Sequence, residues 1–153
     1  MTEAGAGSNL AALKTKGEPV KNDAGETTGY PINGTKQFIT SAGFAYVYLV
    51  FAKTGKDELS VFLVEKDTPG LSIGKIEEKM GQHASPTGEL ILEECKIPEA
   101  NMLGDFGGGM KILFYMLSGG RIGIAALALG IARAAYKTAL DYAQERVQFG
   151  KPI

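Results

Sequence analysis

Residues 45–65 read AYVYLVFAKTGKDELSVFLVE, and this stretch decides the fold of the region around it. It contains two runs of apolar, β-branched and aromatic residues, 45–52 and 59–65, joined by the polar turn Gly55-Lys56-Asp57. Short runs of this composition, bounded by turn residues, are typical of buried β-strands. The stretch therefore predicts two strands that belong to the core of a sheet.

Further strands are predicted on both sides of this stretch. Residues 30–39 hold an Asn33-Gly34 pair between two strand-like halves, and Asn-Gly favours the type I′ turn of a β-hairpin. Residues 71–74 and 89–93 alternate as half-buried strands do. Several short strands with no long helical pattern among them predict a small antiparallel β-barrel or sandwich.

After Gly104 the pattern changes to that of helices. Residues 110–117 predict one helix, Ser118-Gly119-Gly120 interrupts it, and residues 121–146 predict a longer one. The long helix is apolar on all sides in its first half, which requires partners that one other helix cannot supply. Its second half carries one polar stripe, formed by Arg133, Lys137, Asp141 and Gln144/Glu145. We therefore expect an α+β chain that is part of an enzyme, in which a β-domain is followed by the first helices of an incomplete helical bundle.

The composition limits the class of function. The formal net charge of −1 does not indicate a nucleic-acid partner. The single cysteine, Cys95, and the single histidine, His83, exclude an internal disulfide and the usual His/Cys zinc sites, and they favour a reducing compartment over secretion. Residues 1–4 do not resemble a signal peptide, and the charge-free apolar run 122–132 is shorter than the ~20 residues of a membrane span. We predict no nucleic-acid, metal or membrane partner.

Three segments are candidates for ligand contact. Residues 2–8 combine Gly5 and Gly7 with two hydroxyl side chains, so this segment could present N–H and O–H groups to a phosphate or a heterocycle, or it could be a flexible loop. Phe38-Ile39-Thr40 could meet a flat ligand or simply end a strand. Gly107-Gly108-Gly109 precedes a helix and could bind an anion or serve as a mobile linker.

Single residues also leave two interpretations open. Arg121 begins the apolar half of the long helix, where an unpaired charge is costly, so it could form an ion pair or contact an anionic ligand. Arg146 lies in the last helical turn, where a cation suits the helix dipole or could reach a ligand. His83 is interpreted as a surface residue, and Cys95 as a small buried apolar residue.

Seven motifs follow one another along the chain: Thr2-Glu3-x-Gly5-Ala6-Gly7-Ser8, Ile32-Asn33-Gly34-x-Lys36-x-Phe38-Ile39-Thr40, Phe62-Leu63-Val64-Glu65-Lys66-Asp67-Thr68-Pro69-Gly70, Lys79-Met80-Gly81, Ile97-Pro98-x-x-Asn101-x-Leu103-Gly104, Gly120-Arg121-Ile122-Gly123-Ile124-Ala125 and Glu145-Arg146-x-x-Phe149-Gly150. In this order the chain resembles the FAD-dependent acyl-CoA dehydrogenases over essentially its whole length. The resemblance implies that residues 1–104 form the middle β-domain of that family. Residues 105–153 would then open its C-terminal four-helix domain.

The resemblance also implies roles for individual residues. Thr2 would lie near the pyrimidine side of the flavin, and the Thr40 hydroxyl near flavin N5. Ser8 would contact both the flavin and the acyl-CoA, and Arg121 would contact the acyl-CoA. Further implied contacts to the FAD are Gly5, Gly7, Phe38 and Ile39. Arg146 and Phe149 would instead reach the FAD of a neighbouring subunit, with Arg146 at its pyrophosphate.

The implied reaction is α,β-dehydrogenation of an acyl-CoA thioester, in which a carboxylate base takes the α-proton and the β-hydrogen passes as hydride to flavin N5. Residues 120–125 indicate the short-chain type. Gly120 stands where one subgroup has its base, so the base is expected beyond Ile153 and no catalytic residue is expected in this chain. By itself the chain should not turn over and should bind FAD weakly at most. A homotetramer, an electron-transfer flavoprotein as acceptor, and a bacterial cytoplasmic or mitochondrial matrix location are also implied.

The sequence departs from the family pattern at four positions. Ala4 replaces the usual Pro and Phe38 the commonest Trp, which keeps an aromatic face without an indole N–H. His83 stands where Arg is usual and Leu127 where close relatives often have Gln, and both changes bear on local polar contacts rather than on the family resemblance. Two other functions remain open: a non-catalytic assembly module that retains the fold, and a related flavin-dependent oxidase.

Overall fold

The computed structural model describes all 153 residues, which divide into two compact units, Met1–Ile112 and Leu113–Ile153. The first unit contains one seven-stranded sheet and two short 3₁₀ turns, Leu10–Ala12 and Glu99–Asn101. Its strands are β1 Lys16–Gly17, β2 Val20–Lys21, β3 Thr27–Thr40, β4 Val47–Lys53, β5 Leu59–Glu65, β6 Leu71–Ile76 and β7 Thr87–Pro98. The α+β prediction is confirmed.

The sheet bends around a single core. Its strand order is β5-β4-β1-β3-β7-β6, with β2 paired to β3, and its pairings are antiparallel except for one bridge between β1 and β4. The rings of Tyr30 on β3 and Phe62 on β5 lie 4.9 Å apart between centroids, although two strands separate them in the sheet. This contact requires the sheet to curl over itself, as the predicted barrel or sandwich does.

The stretch 45–65 forms the strand pair that its sequence predicts. β4 and β5 pair from Val47↔Glu65 to Lys53↔Leu59, and the turn between them is closed by a hydrogen bond from Thr54 N to Glu58 O. The core-facing side chains from these strands are Tyr48, Val50, Ala52, Phe62 and Val64.

The predicted hairpin at Asn33-Gly34 is wrong, because β3 runs straight through this pair. Ile32 pairs with Cys95 and Gly34 with Leu92, so two residues of β7 lie opposite Asn33 in a β-bulge. The Asn33 amide bonds to this bulge: its Nδ2 donates to Glu94 Oε1 (2.7 Å) and its Oδ1 accepts from Glu94 N (2.8 Å). Gly34 has a φ of +152°, and a Cβ there would lie 2.9 Å from the Cα of Thr15. The glycine therefore permits a close approach of Thr15 rather than a turn.

The segment after Gly104 is attached to the edge strand β5. Leu103 N donates to Val61 O (2.8 Å), and Gly107 N donates to the Ser60 hydroxyl (3.0 Å), which in turn bonds to the Thr54 hydroxyl (2.8 Å). Gly108 N donates to Asp105 O, so the first two amides of the Gly107–Gly109 run already have partners within the chain. The anion-binding interpretation of this run is therefore not supported, and the segment covers a sheet edge.

A single helix, α1 (Gly109–Glu145), replaces the two helices that were predicted. Ser118 does not cap a second helix, because its hydroxyl donates to Phe114 O (2.8 Å) inside the same helix. Gly119 and Gly120 cost about 1 kcal/mol each relative to Ala, which does not stop a helix that extends over 37 residues.

Leu113, near the start of α1, is buried, whereas most apolar side chains of the helix after Ser118 lie exposed. Ile122 is 74% exposed and Leu129 71% exposed, so this chain does not cover them. The predicted polar stripe is present in part as a Lys137–Asp141 ion pair of 2.8 Å. By length and composition alone α1 could cross a membrane, because the helix continues on both sides of the charge-free run 122–132.

A small hairpin that the sequence reading did not predict follows α1. Strands β8 (Val147–Gln148) and β9 (Lys151–Pro152) pair in antiparallel register. The two residues between them, Phe149 and Gly150, have φ values of +52° and +78°. Two consecutive positive φ values are the pattern of a type I′ hairpin turn.

Candidate functional site

The N-terminal loop, residues 2–8, lies against β3 at its Gln37. The Thr2 hydroxyl donates to Gln37 O, and Gln37 N donates to Thr2 O (2.8 Å). The loop also closes on itself, since Glu3 N donates to Ala6 O (3.1 Å) and Ala6 N to Glu3 O (3.0 Å). Two segments that the sequence marked separately as ligand contacts, residues 2–8 and 38–40, are therefore neighbours.

A β-bulge in β3 presents Phe38 to solvent. Lys36 pairs with Leu90 and Ile39 with Gly88, so Gln37 and Phe38 both lie opposite Glu89. Phe38 has a φ of +56° and is 63% exposed, and a non-glycine residue in this conformation is strained. Bulges commonly re-aim a side chain next to a functional site.

Glu89 holds two bulges at once. β6 carries an extra residue opposite Glu89 as well, between Ile73 and Ile76. The Gln37 amide donates to Glu89 Oε1 (3.0 Å), and Lys75 N donates to Glu89 Oε2 (3.2 Å). This carboxylate therefore connects the bulge of β3 to the bulge of β6.

The two residues that follow Phe38 in β3 differ in exposure. Ile39 turns inward and packs against the core, whereas Thr40 pairs with Thr87 and is exposed. No heavy atom lies within 4 Å of the position that a Cβ would take on Gly5 or Gly7. We call Thr2, Gly5, Gly7, Ser8, Phe38 and Thr40, together with Ile39, the flavin-side face, after the flavin contacts that the family resemblance predicts for them. These residues offer an aromatic ring, hydroxyl groups and accessible backbone. None of them carries a carboxylate, an imidazole or an amine that could act as a general acid or base.

A buried ion pair behind this face was missed by the sequence analysis. Lys36 is 1% exposed and Glu3 8% exposed, and Lys36 Nζ lies 2.8 Å from Glu3 Oε1. Lys36 Nζ also donates to Phe51 O (2.6 Å). Glu3 accepts three further hydrogen bonds, from Lys14 N (2.7 Å), Thr15 N (3.0 Å) and the Thr15 hydroxyl (2.5 Å). Both residues stand inside the motifs quoted above, but nothing in their 33-residue separation indicated a contact.

The charges of this pair follow from its surroundings. Burial alone would raise the pKa of Glu3, but the hydrogen bonds from Lys36, Thr15 and the Lys14 and Thr15 amides outweigh it and lower that pKa to about 2. Burial lowers the pKa of Lys36, and Glu3 opposes this effect. Glu3 is therefore ionised at neutral pH and acts as a fixed acceptor, which does not suit proton transfer.

The other predicted contacts lie in the second unit. Arg121 is exposed on α1 and forms no salt bridge within residues 1–153. Arg146 follows the last residue of α1, where its N donates to Tyr142 O (2.8 Å) and its O accepts from Ile153 N (3.1 Å). Phe149 stands at the tip of the β8–β9 hairpin and is fully exposed.

His83 lies at the surface and Cys95 in the core, as the sequence indicated. His83 is exposed in the loop between β6 and β7, where Lys79 Nζ donates to Gln82 O (3.0 Å) and to Ser85 O. Cys95 is fully buried in β7, and burial raises the pKa of its thiol. No group of three His, Cys, Asp or Glu side chains is placed to hold a metal ion.

Comparison with known proteins gives consistent matches along the chain. Residues 1–95 match the family model described as acyl-CoA dehydrogenase, middle domain, and residues 107–153 match the one described as acyl-CoA dehydrogenase, C-terminal domain. The chain is 47% identical to the short-chain-specific acyl-CoA dehydrogenase of Megasphaera elsdenii. The alignment covers 100% of this chain and 40% of that protein. The chain thus spans about 40% of the length of the curated relatives it matches.

Solved structures give the same result. The structure of butyryl-CoA dehydrogenase from Megasphaera elsdenii matches with a TM-score of 0.89 and 48% identity, over 99% of this chain and 39% of that one. An acyl-CoA dehydrogenase from Bacillus anthracis, solved in complex with FAD, matches with a TM-score of 0.87 and 40% identity, over 99% of this chain and 25% of that one.

Proposed function

The chain belongs to the acyl-CoA dehydrogenase family, and we propose that its protein is an FAD-dependent dehydrogenase that forms an α,β double bond in a short-chain acyl-CoA thioester. The observation that carries this proposal is the flavin-side face, which the Thr2–Gln37 pairing assembles beside the bulged, solvent-facing Phe38. The short-chain substrate class rests on the likeness to short-chain relatives. We assign residues 1–104 to the middle β-domain and residues 105–153 to the start of the C-terminal helical domain.

The residues of the flavin-side face fit FAD. A flat ring system needs an apolar face to lie against, and Phe38 supplies an exposed aromatic ring. Polar edges of the ring need donors and acceptors, and we assign this role to the hydroxyls of Thr2, Ser8 and Thr40 and to the backbone at Gly5 and Gly7, with Ile39 supporting the face from behind. Bound FAD would supply the redox chemistry as acceptor of the hydrogen that leaves the substrate Cβ.

The chain's own residues bind and orient, and we assign none of them to proton transfer. Ser8 and Arg121 are proposed to contact the acyl-CoA, whose phosphates suit an unpaired guanidinium. Arg146 and Phe149 are proposed to contact the FAD of a neighbouring subunit, Arg146 at the pyrophosphate. A charge-assisted hydrogen bond of this kind contributes roughly 1.5–3 kcal/mol. The general base is placed outside residues 1–153, because Gly120 has no carboxylate and the flavin-side face carries none.

The exposed apolar surface of α1 supports an assembly of helices around it. We propose that this surface packs against further protein, in a homotetramer, rather than against lipid, because α1 falls within the match to the family's C-terminal domain. An electron-transfer flavoprotein is the proposed electron acceptor, and the bacterial cytoplasm or mitochondrial matrix the proposed location.

The test is a spectrum of the purified intact protein. We expect the absorption bands of oxidised flavin and their rapid loss when butyryl-CoA is added without oxygen. Flavin that bleaches and is then reoxidised quickly by oxygen alone would instead indicate a flavin oxidase. Protein without flavin, or flavin that no acyl-CoA bleaches, would contradict the proposed activity and favour the non-catalytic assembly module.

A further inference from the structure

The Glu3–Lys36 pair is a costly feature that the proposed reaction does not use. Both side chains are almost completely buried, and Lys36 Nζ is held by Glu3 Oε1 at 2.8 Å and Phe51 O at 2.6 Å. Desolvating two charges can cancel their attraction, so a buried ion pair is weak support for stability by itself. The reason for this pair must be sought in what it connects.

The pair connects the two halves of the flavin-side face. Glu3 follows Thr2 in the N-terminal loop, and Lys36 precedes Gln37 at the bulge of β3. Two successive residues of the loop are thus bonded to two successive residues of β3, through backbone groups and a hydroxyl for Thr2 and through a salt bridge for Glu3.

The loop is held at its start by the bonds of Thr2 and Glu3, and further along by the backbone bonds between Glu3 and Ala6. Ala4, Gly5, Gly7 and Ser8 are exposed, and Ala6 alone among the later loop residues is buried. Gly5 and Gly7 leave the exposed part of the loop conformationally free, so the bonds of Thr2 and Glu3 and the burial of Ala6 are what fix its position.

We propose that Glu3 and Lys36 are positioning residues that fix the N-terminal loop against the β3 bulge and so set the shape of the FAD-binding surface. This inference rests on the proposed function for the identity of the ligand. Neither residue belongs to the exposed face, so they act through Thr2 and Phe38. A ligand site that is loose by about 1 Å loses a large part of its function, and the pair removes that freedom.

The experiment compares two variants of the intact protein. Glu3→Gln/Lys36→Met removes both charges, and the single Gln oxygen can still accept from either the Lys14 or the Thr15 amide, which bond to different carboxylate oxygens of Glu3. Ser60→Ala is the matched control, because Ser60 is also a fully buried polar residue with two hydrogen bonds, but these go to Thr54 and Gly107 rather than to the loop. Three quantities are measured: amide hydrogen exchange of residues 2–8 in the apoprotein, the Kd for FAD, and the visible circular dichroism of bound flavin.

For the double variant we expect faster exchange in residues 2–8, a Kd for FAD raised about tenfold or more and a changed flavin dichroism. Ser60→Ala should lower the unfolding temperature. It should leave the exchange of residues 2–8, the Kd for FAD and the flavin dichroism close to those of wild type. The inference is overturned if the double variant folds with wild-type exchange and Kd, or if Ser60→Ala weakens FAD binding as much at an equal loss of stability.

Two further comparisons keep the outcome decisive. If the double variant does not fold, Glu3→Asp keeps the charge with a shorter reach and should show the same three effects in weaker form; a wild-type Kd and exchange in that variant would equally overturn the inference. If wild-type protein fails to bind FAD, the proposed function is wrong, and exchange in the apoprotein still decides whether the pair positions the loop.

Discussion

Replacing Gly34 by alanine tests why this glycine lies in the middle of a strand. The substitution should destabilise the protein by two separate effects. A φ of +152° is strained for any residue with a Cβ, which costs about 1–3 kcal/mol. The new Cβ would also lie 2.9 Å from the Thr15 Cα, a backbone atom that cannot rotate away, and overpacking of this kind costs about 1–3 kcal/mol. The expected loss in the free energy of unfolding is therefore about 2–6 kcal/mol.

The assay is urea unfolding followed by circular dichroism, with two control variants. Gly25→Ala has a positive φ of +82° and open space around the new Cβ, so it measures the conformational cost alone. Gly81→Ala has open space and no positive φ, so it should change the free energy of unfolding by less than about 0.5 kcal/mol. A loss for Gly34→Ala no larger than that for Gly25→Ala would refute the close approach of Thr15 as the reason for the glycine.

The remaining predictions concern the pH dependence of Glu3, the hydrogen bonds of Ser60 on β5, the ring of Phe38 and the exposed apolar surface of α1. The pKa of Glu3 is lowered from 4.5 to about 2, so its contribution should be complete above pH 4.5 and lost as pH falls towards 2; the stability advantage of wild type over Glu3→Gln in urea unfolding should shrink by up to ~3 kcal/mol across that window. Ser60→Ala should cost about 1–3 kcal/mol in the same assay, because it leaves the Thr54 hydroxyl and Gly107 N without their partner. Phe38→Gly should not destabilise the apoprotein, since glycine adopts a φ of +56° without strain, but it should weaken FAD binding in a fluorescence titration by about 3- to 10-fold. Ile124→Lys/Leu129→Lys should lower the mass of the assembly in sedimentation, and an unchanged mass would contradict a role for this surface of α1 in assembly.

Strands whose signal is local could be read from the sequence. β5 matches the predicted residues 59–65, and β4 differs from its prediction by one or two residues at each end, because apolar runs between turn residues have few other ways to be buried. Two of the predicted turns and breaks at glycine-containing segments were wrong. Ser118-Gly119-Gly120 and Asn33-Gly34 both favour turns in isolation, yet the long apolar helix and the pairing of β3 with β7 outweigh that preference.

In the candidate site, too, the local motifs could be read from the sequence and the long-range contacts could not. Motif order located the residues of the flavin-side face, but their roles remain predictions until ligand is bound. The bond between Thr2 and Gln37 and the burial of Lys36 could not be read from the sequence, because each depends on where a bulge places residues that are distant along the chain. A charged residue in an alternating strand normally points to solvent, so the pattern offered no sign of this lysine's burial.

The bulge at Gln37 and Phe38 has a consequence for changes in chain length. A regular strand would turn Phe38 inward and Ile39 outward, and the extra residue lets both Gln37 and Phe38 face the same side while Ile39 stays in phase with the core. Deleting either bulge residue would therefore restore a regular ladder without moving Ile39. We expect such a deletion to leave the core intact, and to remove either the Gln37 side chain, with its bond to Glu89, or the aromatic ring of Phe38. We therefore expect that the protein can lose a residue at this point in β3 and still fold, with the effect falling on ligand binding instead.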